Sequence, residues 1–409
     1  MNAPVLKRPF DVAAVRKEFP ILARKVHGRP LVYLDNAASA QKPNAVIDAM
    51  AGQMRTAYAN VHRGIHALAN ETTQGYEAAR AKVARFLNAA SPEQIVFTKG
   101  GTQAINIVAN GLALKPGDEI IVSVLEHHSN IVPWHLRRER DGAVLKWLEA
   151  DEDGRFDPAA LEALITPRTK MVALTHCSNV LGMGATKELV ARAQALGAPV
   201  LLDGCQAVVH DHVDVTALGV DFYAFTGHKL YGPTGVGVLY GKPERLAALR
   251  PFEGGGEMID IVERERITYN DPPHRFEAGT PPIIEAVGLG AAIDWLAAQD
   301  RAAIRAHENS LRDAAMEGLR GLNWVKLHGA APEKAAIVSF SVDGAHPHDV
   351  AQLLDQQGVA VRAGHHCAQP LMSRLGVSAT ARASFSLYNS LEEVEAFIEA
   401  LQKARKMLV

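Results

Sequence analysis

The sequence predicts an α/β fold: a large domain with a mostly parallel sheet covered by helices, and a smaller α+β domain at the C-terminus. Strand-like apolar runs alternate with helix-like stretches over much of the first three hundred residues, an order typical of parallel sheets. From about residue 300 a long helix is followed by mixed strands and helices. We place the large domain at residues 25–298 and the small domain at 299–409, with residues 1–24 packing on the small domain.

Polar residues directly follow the predicted strands of the large domain. The strands and the residues after them are Gln94–Thr98 before Gly100-Gly101-Thr102, Glu119–Ser123 before His127 and His128, Lys170–Thr175 before His176 to Asn179, Ala198–Leu202 before Asp203, and Phe222–Phe225 before Lys229. Ligands of parallel sheets bind beyond the carboxyl ends of the strands. The sequence therefore predicts one site at this edge of the sheet.

The remaining segments predict an excursion and the small domain. Residues 253–282 are rich in glycine, proline and charge, which indicates a loop or hairpin. Further elements are predicted at Ile283–Ala298 (helix), Ala336–Val342 (strand), Pro347–Gln357 (helix), Val359–Arg362 (strand) and Leu391–Met407 (helix).

Composition excludes several classes of protein. The 409 residues are 48% hydrophobic and 22% charged with a net charge of −2, so neither nucleic acid nor an anionic membrane is an expected partner. No apolar run is long enough to cross a bilayer, and the N-terminus has charges where a signal peptide needs apolar residues. Three cysteines argue against a disulfide framework. We expect a cytoplasmic protein.

Lys229 and Asp203 are the most informative pair. Each ends an apolar strand, where burying a charge is costly unless it is paired or used in chemistry. Pyridoxal phosphate (PLP) needs such groups, because a lysine amine binds its aldehyde and a carboxylate holds its pyridinium proton. The alternative is a buried ion pair, and these two residues alone do not decide between them.

Glycines and histidines near the strand ends have several interpretations. Gly100-Gly101-Thr102 is a plausible phosphate cradle at a helix N-terminus, although an ordinary helix cap has the same sequence. The chain lacks the glycine patterns of ATP- and NAD-binding loops. His127 and His128, like His365 and His366, lack metal-ligand spacing, so we predict no metal site. A histidine at a strand end can instead stack on an aromatic cofactor, and a hydrogen-bonded loop histidine is the alternative.

Cys367 lies in a loop bounded by glycine and proline and flanked by histidines, which suits a thiol presented to a partner. Cys177 and Cys205 adjoin apolar strands and are expected to be packing residues. Arg382 enters a strand-like run, and its guanidinium suits a substrate carboxylate or an interdomain salt bridge.

Together these motifs resemble the group II (SufS-like) cysteine desulfurases, PLP-dependent transferases of the aspartate aminotransferase fold (fold type I). The resemblance covers nearly the whole chain. The matching segments are YLDNAASAQKP (33–43), VHRGIH (61–66), EHHSNIVPW (126–134), THCSNVLG (175–182), DGCQAV (203–208), GHKLYGPTGVG (227–237), RFEAGTP (275–281) and RAGHHCAQPLM (362–372).

The resemblance implies roles for individual residues. Lys229, Cys367 and His127 would be the catalytic residues, of which Lys229 would bind PLP covalently and Cys367 would take the sulfur. The other cofactor contacts would be Asp203 at the pyridine nitrogen, Gln206 at the ring hydroxyl, His127 stacked on the ring, and Gly101, Thr102, Thr226 and His228 at the phosphate, joined by Thr280 from the partner subunit. Asn179 and Arg382 would bind the substrate carboxylate, and Asn179 would also contact the cofactor. Gly101 stands where many relatives have a second threonine, so one hydroxyl is missing there.

The implied activity converts L-cysteine to L-alanine through a Cys367 persulfide and supplies sulfur for iron–sulfur cluster assembly. The implied partners are a second copy of the chain and a SufE- or SufU-like sulfur acceptor. A selenocysteine lyase or cysteine-sulfinate desulfinase is the nearest alternative, although those reactions need not depend on a nucleophilic cysteine. A non-catalytic sulfur-carrier scaffold is the alternative from another class, and it would not need Lys229 and Asp203 together.

Overall fold

The computed structural model describes residues 10–408, in which strands and helices alternate along most of the chain. The strands are β1 (Lys25–Val26), β2 (Arg29–Pro30), β3 (Val32–Tyr33), β4 (Ile95–Thr98), β5 (Glu119–Ser123), β6 (Val144–Leu148), β7 (Thr169–Thr175), β8 (Val200–Asp203), β9 (Phe222–Thr226), β10 (Gly237–Gly241), β11 (Ile259–Val262), β12 (Ile267–Tyr269), β13 (Val325–His328), β14 (Ile337–Val342), β15 (Val359–Ala360), β16 (Arg362–Gly364) and β17 (Thr380–Ser384). The α-helices are α1 (Val12–Lys17), α2 (Asn44–Thr56), α3 (Ala67–Phe86), α4 (Gly101–Gly111), α5 (Val132–Asp141), α6 (Pro158–Leu164), α7 (Lys187–Ala195), α8 (Ala207–His210), α9 (Val215–Leu218), α10 (Pro243–Ala248), α11 (Ile283–Ala297), α12 (Arg301–Arg320), α13 (Pro347–Asp355), α14 (Gln369–Arg374) and α15 (Leu391–Leu408).

A seven-stranded sheet with the order β4-β10-β9-β8-β7-β5-β6 forms the centre of the molecule. All neighbouring pairs from β9 to β6 are parallel, and only β10 runs antiparallel to its neighbours. Alternate residues of one strand pack on opposite faces: Leu201 packs in the same core as α4, whereas Val200 and Leu202 pack with α7. Because helices cover both faces, the strands are continuously apolar. The predicted fold class is confirmed.

A second, four-stranded antiparallel sheet with the order β13-β14-β17-β16 follows in the C-terminal part of the chain. Its apolar residues share a core with helices α12, α13 and α15. The single strand predicted at Val359–Arg362 is in fact two strands. Residues 359–360 pair in parallel with β3, whereas Arg362 begins β16 and pairs with β17.

The segment before the large sheet contacts both parts of the molecule. The Phe10 ring lies 5.0 Å from His307, and the Phe19 ring packs 5.3 Å from Trp295 and 4.7 Å from Tyr388. The prediction that residues 1–24 pack on the small domain falls partly outside the described residues, which begin at 10. The limits of the two domains remain a prediction.

Two local features position the site. Thr175, Asp203 and Ala224 are register partners across β7, β8 and β9, so the loops after these strands begin side by side. In the predicted excursion at 253–282, β11 and β12 form an antiparallel hairpin.

Within residues 10–408, none of the helices combines the length and the apolar character needed to cross a membrane.

Candidate active site

A cavity of about 690 Å³ opens at the carboxyl ends of the parallel strands. Most residues predicted for the site line it: Gly101, Thr102, His127, Asn179, Asp203, Gln206, Thr226, His228 and Lys229. Cys367, Thr280 and Arg382 are not among the lining residues. The topology therefore gathers side chains from five separate loops into one space.

Lys229 reaches the cavity from the short 3₁₀ turn Gly227–Lys229 that follows β9. Its amine forms no hydrogen bond or ion pair with any residue of 10–408. The turn itself is fixed, because the His228 carbonyl accepts hydrogen bonds from Ala40 N at 3.2 Å and from Lys42 Nζ at 2.8 Å. Burial lowers the pKa of Lys42 to about 8. The backbone is thus held in place while the Lys229 amine is free to react.

Asp203 is the last residue of β8, and Gln206 follows it in the next loop; both line the cavity. Both are almost fully buried. Asp203 Oδ1 accepts a hydrogen bond from the Cys205 N–H at 3.0 Å, and the Gln206 amide donates to the Ala37 carbonyl at 2.7 Å. These contacts hold a carboxylate and an amide at the wall of the same cavity.

His127 follows β5, and its ring is held by the loop that it begins. Nδ1 accepts a hydrogen bond from the Ser129 N–H at 3.1 Å, which leaves the proton of a neutral ring on Nε2. Burial, together with the charge of Lys229, lowers the pKa of His127 to about 4. The ring is therefore neutral near pH 7.

Glu126, which the sequence reasoning did not single out, anchors the His127 loop from below. Its carboxyl group accepts hydrogen bonds from Asn130 Nδ2 at 2.6 Å and from the Thr175 N–H at 2.8 Å. Burial raises the pKa of Glu126 to about 8. The available signal was a carboxylate placed directly after an apolar run.

The other end of the cavity has the features of an anion site. Gly101 is the first residue of α4, so free N–H groups of the helix N-terminus face this end. Thr102, Thr226 and His228 also line it. Gly237 allows the close packing beneath, because a Cβ there would lie 2.5 Å from the Gly100 Cα atom.

Two arginines lie side by side at the edge of the cavity. Arg362 lines the cavity and is the register partner of Arg382 across β16 and β17, so both side chains are on one face of the sheet. Arg382 is fully buried and donates to the Asn179 carbonyl and to Asp35, each at 2.9 Å. Its Nε atom is buried without a partner. Burial lowers the pKa of Arg382 to about 10, although Asp35 opposes this.

Arg362 also connects the cavity to Cys367. Its Nη2 atom lies 3.8 Å from the Cys367 Sγ atom. The sequence reasoning quoted Arg362 within a motif but gave it no role, and likewise Asp35. A basic residue five positions before the cysteine was the available signal, but the contact depends on how the loop between them turns.

The Cys367 loop is tightly constrained. His366 and Cys367 have φ angles of +52° and +55°, which non-glycine residues rarely adopt and which cluster at functional sites. Asn179 donates to the His366 carbonyl at 2.8 Å, and the His128 N–H donates to the Cys367 carbonyl at 2.7 Å. The thiol is partly exposed. His128 follows β5 and Asn179 follows β7, so these two hydrogen bonds fix the Cys367 loop to the large sheet.

The other two thiols line the cavity in a different setting. Burial raises the pKa of Cys177, and burial with the neighbouring Asp203 carboxylate raises that of Cys205 well above its usual range. A thiol held in its protonated form is a poor nucleophile. This setting agrees with the expectation that neither performs the chemistry.

One group of side chains within residues 10–408 has metal-ligand geometry, outside this cavity. Ligand atoms of His62, Glu77 and His274 lie within 4.8 Å of one another. Glu77 is already bonded to His62 at 2.9 Å and to Arg80 at 2.8 Å. The positive charge of the Arg80 guanidinium, 2.8 Å from Glu77, opposes the binding of a cation, so we assign no metal to this group of side chains. The expectation that the protein has no metal site stays a prediction.

The cavity fits PLP by the chemistry of its donors. A lysine amine without a partner in residues 10–408, a buried carboxylate and a neutral imidazole line the same cavity, and a helix N-terminus with threonine hydroxyls forms the anion end. These are the groups that bind an aldehyde, a pyridinium nitrogen, an aromatic ring and a phosphate.

Comparison with known proteins agrees with this site. Residues 32–397 match the family described as aminotransferase class-V. A probable cysteine desulfurase of Streptomyces coelicolor is 49% identical over 407 residues and covers 97% of each chain. The cysteine desulfurase of Dickeya dadantii is 48% identical and covers 100% of each chain.

Solved structures give the same result. The cysteine desulfurase CsdA from Escherichia coli, in an S-sulfonic acid form, has a TM-score of 0.91 and 42% identity, and the match covers 98% of this chain and 100% of that one. A mutant of C-DES with glycine covalently linked to its PLP cofactor has a TM-score of 0.80 and 25% identity, covering 94% and 98%.

The chain belongs to the class-V aminotransferase family and, within it, to the cysteine desulfurases. It has the fold of the PLP-dependent transferases of fold type I. The predictions of family, fold, enzyme class and cofactor are confirmed: the protein is a PLP-dependent cysteine desulfurase.

Proposed function

We propose that this protein removes sulfur from L-cysteine and carries it as a persulfide on Cys367. The observation that supports this proposal most strongly is the position of Arg362, which lines the cavity and whose Nη2 atom lies 3.8 Å from the Cys367 Sγ atom. A substrate held in the cavity by its carboxylate at this arginine is therefore near the thiol. The reaction breaks the Cβ–S bond of cysteine and forms an S–S bond on Cys367, so the sulfur is oxidised, Cβ is reduced, and alanine is released.

PLP supplies an electron sink for the bond changes at the substrate Cα and Cβ atoms. Lys229 would hold the cofactor and would move the Cα proton, since its amine has no other partner in residues 10–408. Asp203 would keep the pyridine nitrogen protonated. His127 and Gln206 would hold the ring, while Gly101, Thr102, Thr226 and His228 would bind the phosphate.

Charge balance supports a carboxylate site at the paired arginines. Arg362 and Arg382 bring two positive charges to one face of β16 and β17, and Asp35 neutralises only one of them. A substrate carboxylate supplies the second negative charge, and the buried Arg382 Nε atom is an unused donor beside it. Asn179 links this site to the Cys367 loop, because its amide donates to the His366 carbonyl.

The assembly around this chemistry is also proposed. Thr280 is exposed and lies outside the cavity of its own chain, which supports a homodimer in which it completes the partner's phosphate site. The short, constrained Cys367 loop supports a group II enzyme that gives its sulfur to a SufE- or SufU-like acceptor for iron–sulfur cluster assembly. A cytoplasmic location remains part of this proposal.

The deciding experiment compares Cys367→Ala with Cys177→Ala during exposure to L-cysteine. Cys177 lines the cavity but is buried with a raised pKa, so it is the matched control. Cys367→Ala should bind PLP yet release no sulfide or alanine, whereas Cys177→Ala should keep turnover. Mass spectrometry should find one added sulfur on the wild-type Cys367 peptide. Undiminished desulfuration in Cys367→Ala would overturn the proposal, and a wild-type enzyme that acts on selenocysteine but not on L-cysteine would indicate the selenocysteine lyase alternative.

A further inference from the structure

Gly101 and Cys205 occupy one shared space at the anion end of the cavity. A Cβ atom built on Gly101 would lie 2.6 Å from the Cys205 Sγ atom. The next nearest atom, the Phe225 carbonyl carbon, is 3.7 Å away, which is an ordinary contact. The Cys205 thiol alone therefore fills the place that a side chain at position 101 would take.

Cys205 also touches the opposite end of the site. Its N–H donates to Asp203 Oδ1 at 3.0 Å, and burial with the Asp203 carboxylate nearby raises the pKa of its thiol. One residue thus contacts the carboxylate proposed for the pyridine nitrogen and the helix N-terminus proposed for the phosphate. None of the chemistry proposed above uses it.

We propose that Cys205 is a positioning residue, paired with Gly101, which sets the spacing between Asp203 and the N-terminus of α4. The inference rests on the proposed binding of PLP in this cavity. The thiol packs against the N-terminus of α4 while the Cys205 N–H donates to Asp203, and the thiol does not carry sulfur. Loss of a side chain at position 101 is compensated by the larger residue at position 205.

The pairing predicts that two substitutions will compensate each other. Gly101 does not have a left-handed backbone, so alanine is compatible with its conformation and only the thiol opposes the added methyl group. Gly101→Ala alone forces α4 away from Asp203, because overpacking a fixed site is destabilising. In a Cys205→Ala background the Sγ atom is gone, and the new methyl group fills its space.

The test is a titration of cofactor-free protein with PLP for wild type, both single variants and the double variant, with the melting temperature of each cofactor-free protein measured alongside. Gly101→Ala should weaken PLP binding by roughly tenfold. The double variant should bind PLP more tightly than Gly101→Ala alone. Cys177→Ala is the matched control background, in which Gly101→Ala should remain impaired. Equal losses from Gly101→Ala in the wild-type and Cys205→Ala backgrounds would overturn the pairing.

A spectroscopic measurement tests the link to Asp203 separately and covers the case in which Gly101→Ala does not fold. Cys205→Ala should shift the pH dependence of the bound cofactor's visible absorption, because the contact with α4 that fixes the residue 205 N–H against Asp203 is lost. Cys205→Ser, whose hydroxyl takes much of the space of the thiol, should restore it. An unchanged pH dependence in Cys205→Ala would refute the positioning role. If wild type itself does not bind PLP, the proposed function fails; if wild type binds PLP and the variants are additive, only this inference fails.

Discussion

Replacing Glu277 by glutamine tests the buried ion pair that anchors the loop carrying Thr280. The Arg80 guanidinium donates to both oxygens of Glu277, at 2.6 and 2.9 Å. The same carboxylate accepts from the Phe97 N–H at 2.7 Å and from the Tyr76 hydroxyl at 3.1 Å. The side chains of Arg80 and Glu277 are 2% and 4% exposed, so water cannot take over either charge.

The expected loss of stability in Glu277→Gln follows from this geometry. Glutamine keeps the shape of Glu277 but removes its charge and places an NH₂ group among donors. Breaking a buried pair from one side costs about 3–5 kcal/mol, because the other charge stays buried. Glu77 is the matched control: it binds the same guanidinium at 2.8 Å, but its side chain is 36% exposed. Glu77→Gln should cost about 1 kcal/mol or less.

The assay is urea unfolding of the PLP-bound proteins, followed by circular dichroism. A double variant, Arg80→Met with Glu277→Gln, also removes the Arg80 charge that would otherwise stay buried without its partner. It should therefore be more stable than Glu277→Gln alone. The ion-pair explanation is refuted if the free energy of unfolding of Glu277→Gln lies within about 1 kcal/mol of that of wild type. It is also refuted if the loss of stability in the double variant equals the sum of the losses in Arg80→Met and Glu277→Gln measured singly.

Three further outcomes are expected. Asp203→Asn should lower exchange of the substrate α-proton, measured by NMR, by about 100-fold or more while PLP stays bound; near-normal exchange would contradict the role of Asp203. Because the folded-state pKa of Glu126 is raised from 4.5 to about 8, wild-type stability should fall as pH rises through that window, and Glu126→Gln should flatten the slope; equal slopes would count against this. Thr280→Val should weaken PLP binding without dissociating a dimer, and a fully active monomer by light scattering would disprove the shared site.

The positions of Lys229, Asp203 and His127 were predictable because each lies at the carboxyl end of an apolar strand or within four residues after it. Parallel strands bring their carboxyl ends together regardless of loop detail, so local pattern was enough to gather these residues into one cavity. Their roles in binding and catalysis remain predictions.

The surroundings of Cys367 were not predictable in the same way. The contact with Arg362 depends on left-handed backbone at His366 and Cys367, which apolar periodicity does not encode. Asp35 meets Arg382 through pairing of distant segments, and the apolar run at 359–362 hides a change from one sheet to another. The proposed role of Thr280 in a partner's phosphate site involves a second subunit, so it also stays a prediction.

The ion pair between Asp35, just after β3, and Arg382 on β17 has a consequence for how the protein is made. Asp35 and Arg382 are 347 residues apart in sequence, yet they form one ion pair beside the cavity. At a synthesis rate of about 5–20 residues per second, the N-terminal partner waits about 20–70 seconds on the ribosome before the other emerges. The edge of the cavity where we propose that the substrate carboxylate binds is therefore completed late, and a chain that stops short of β17 contains Lys229 and Arg362 but lacks Arg382, the partner of Asp35.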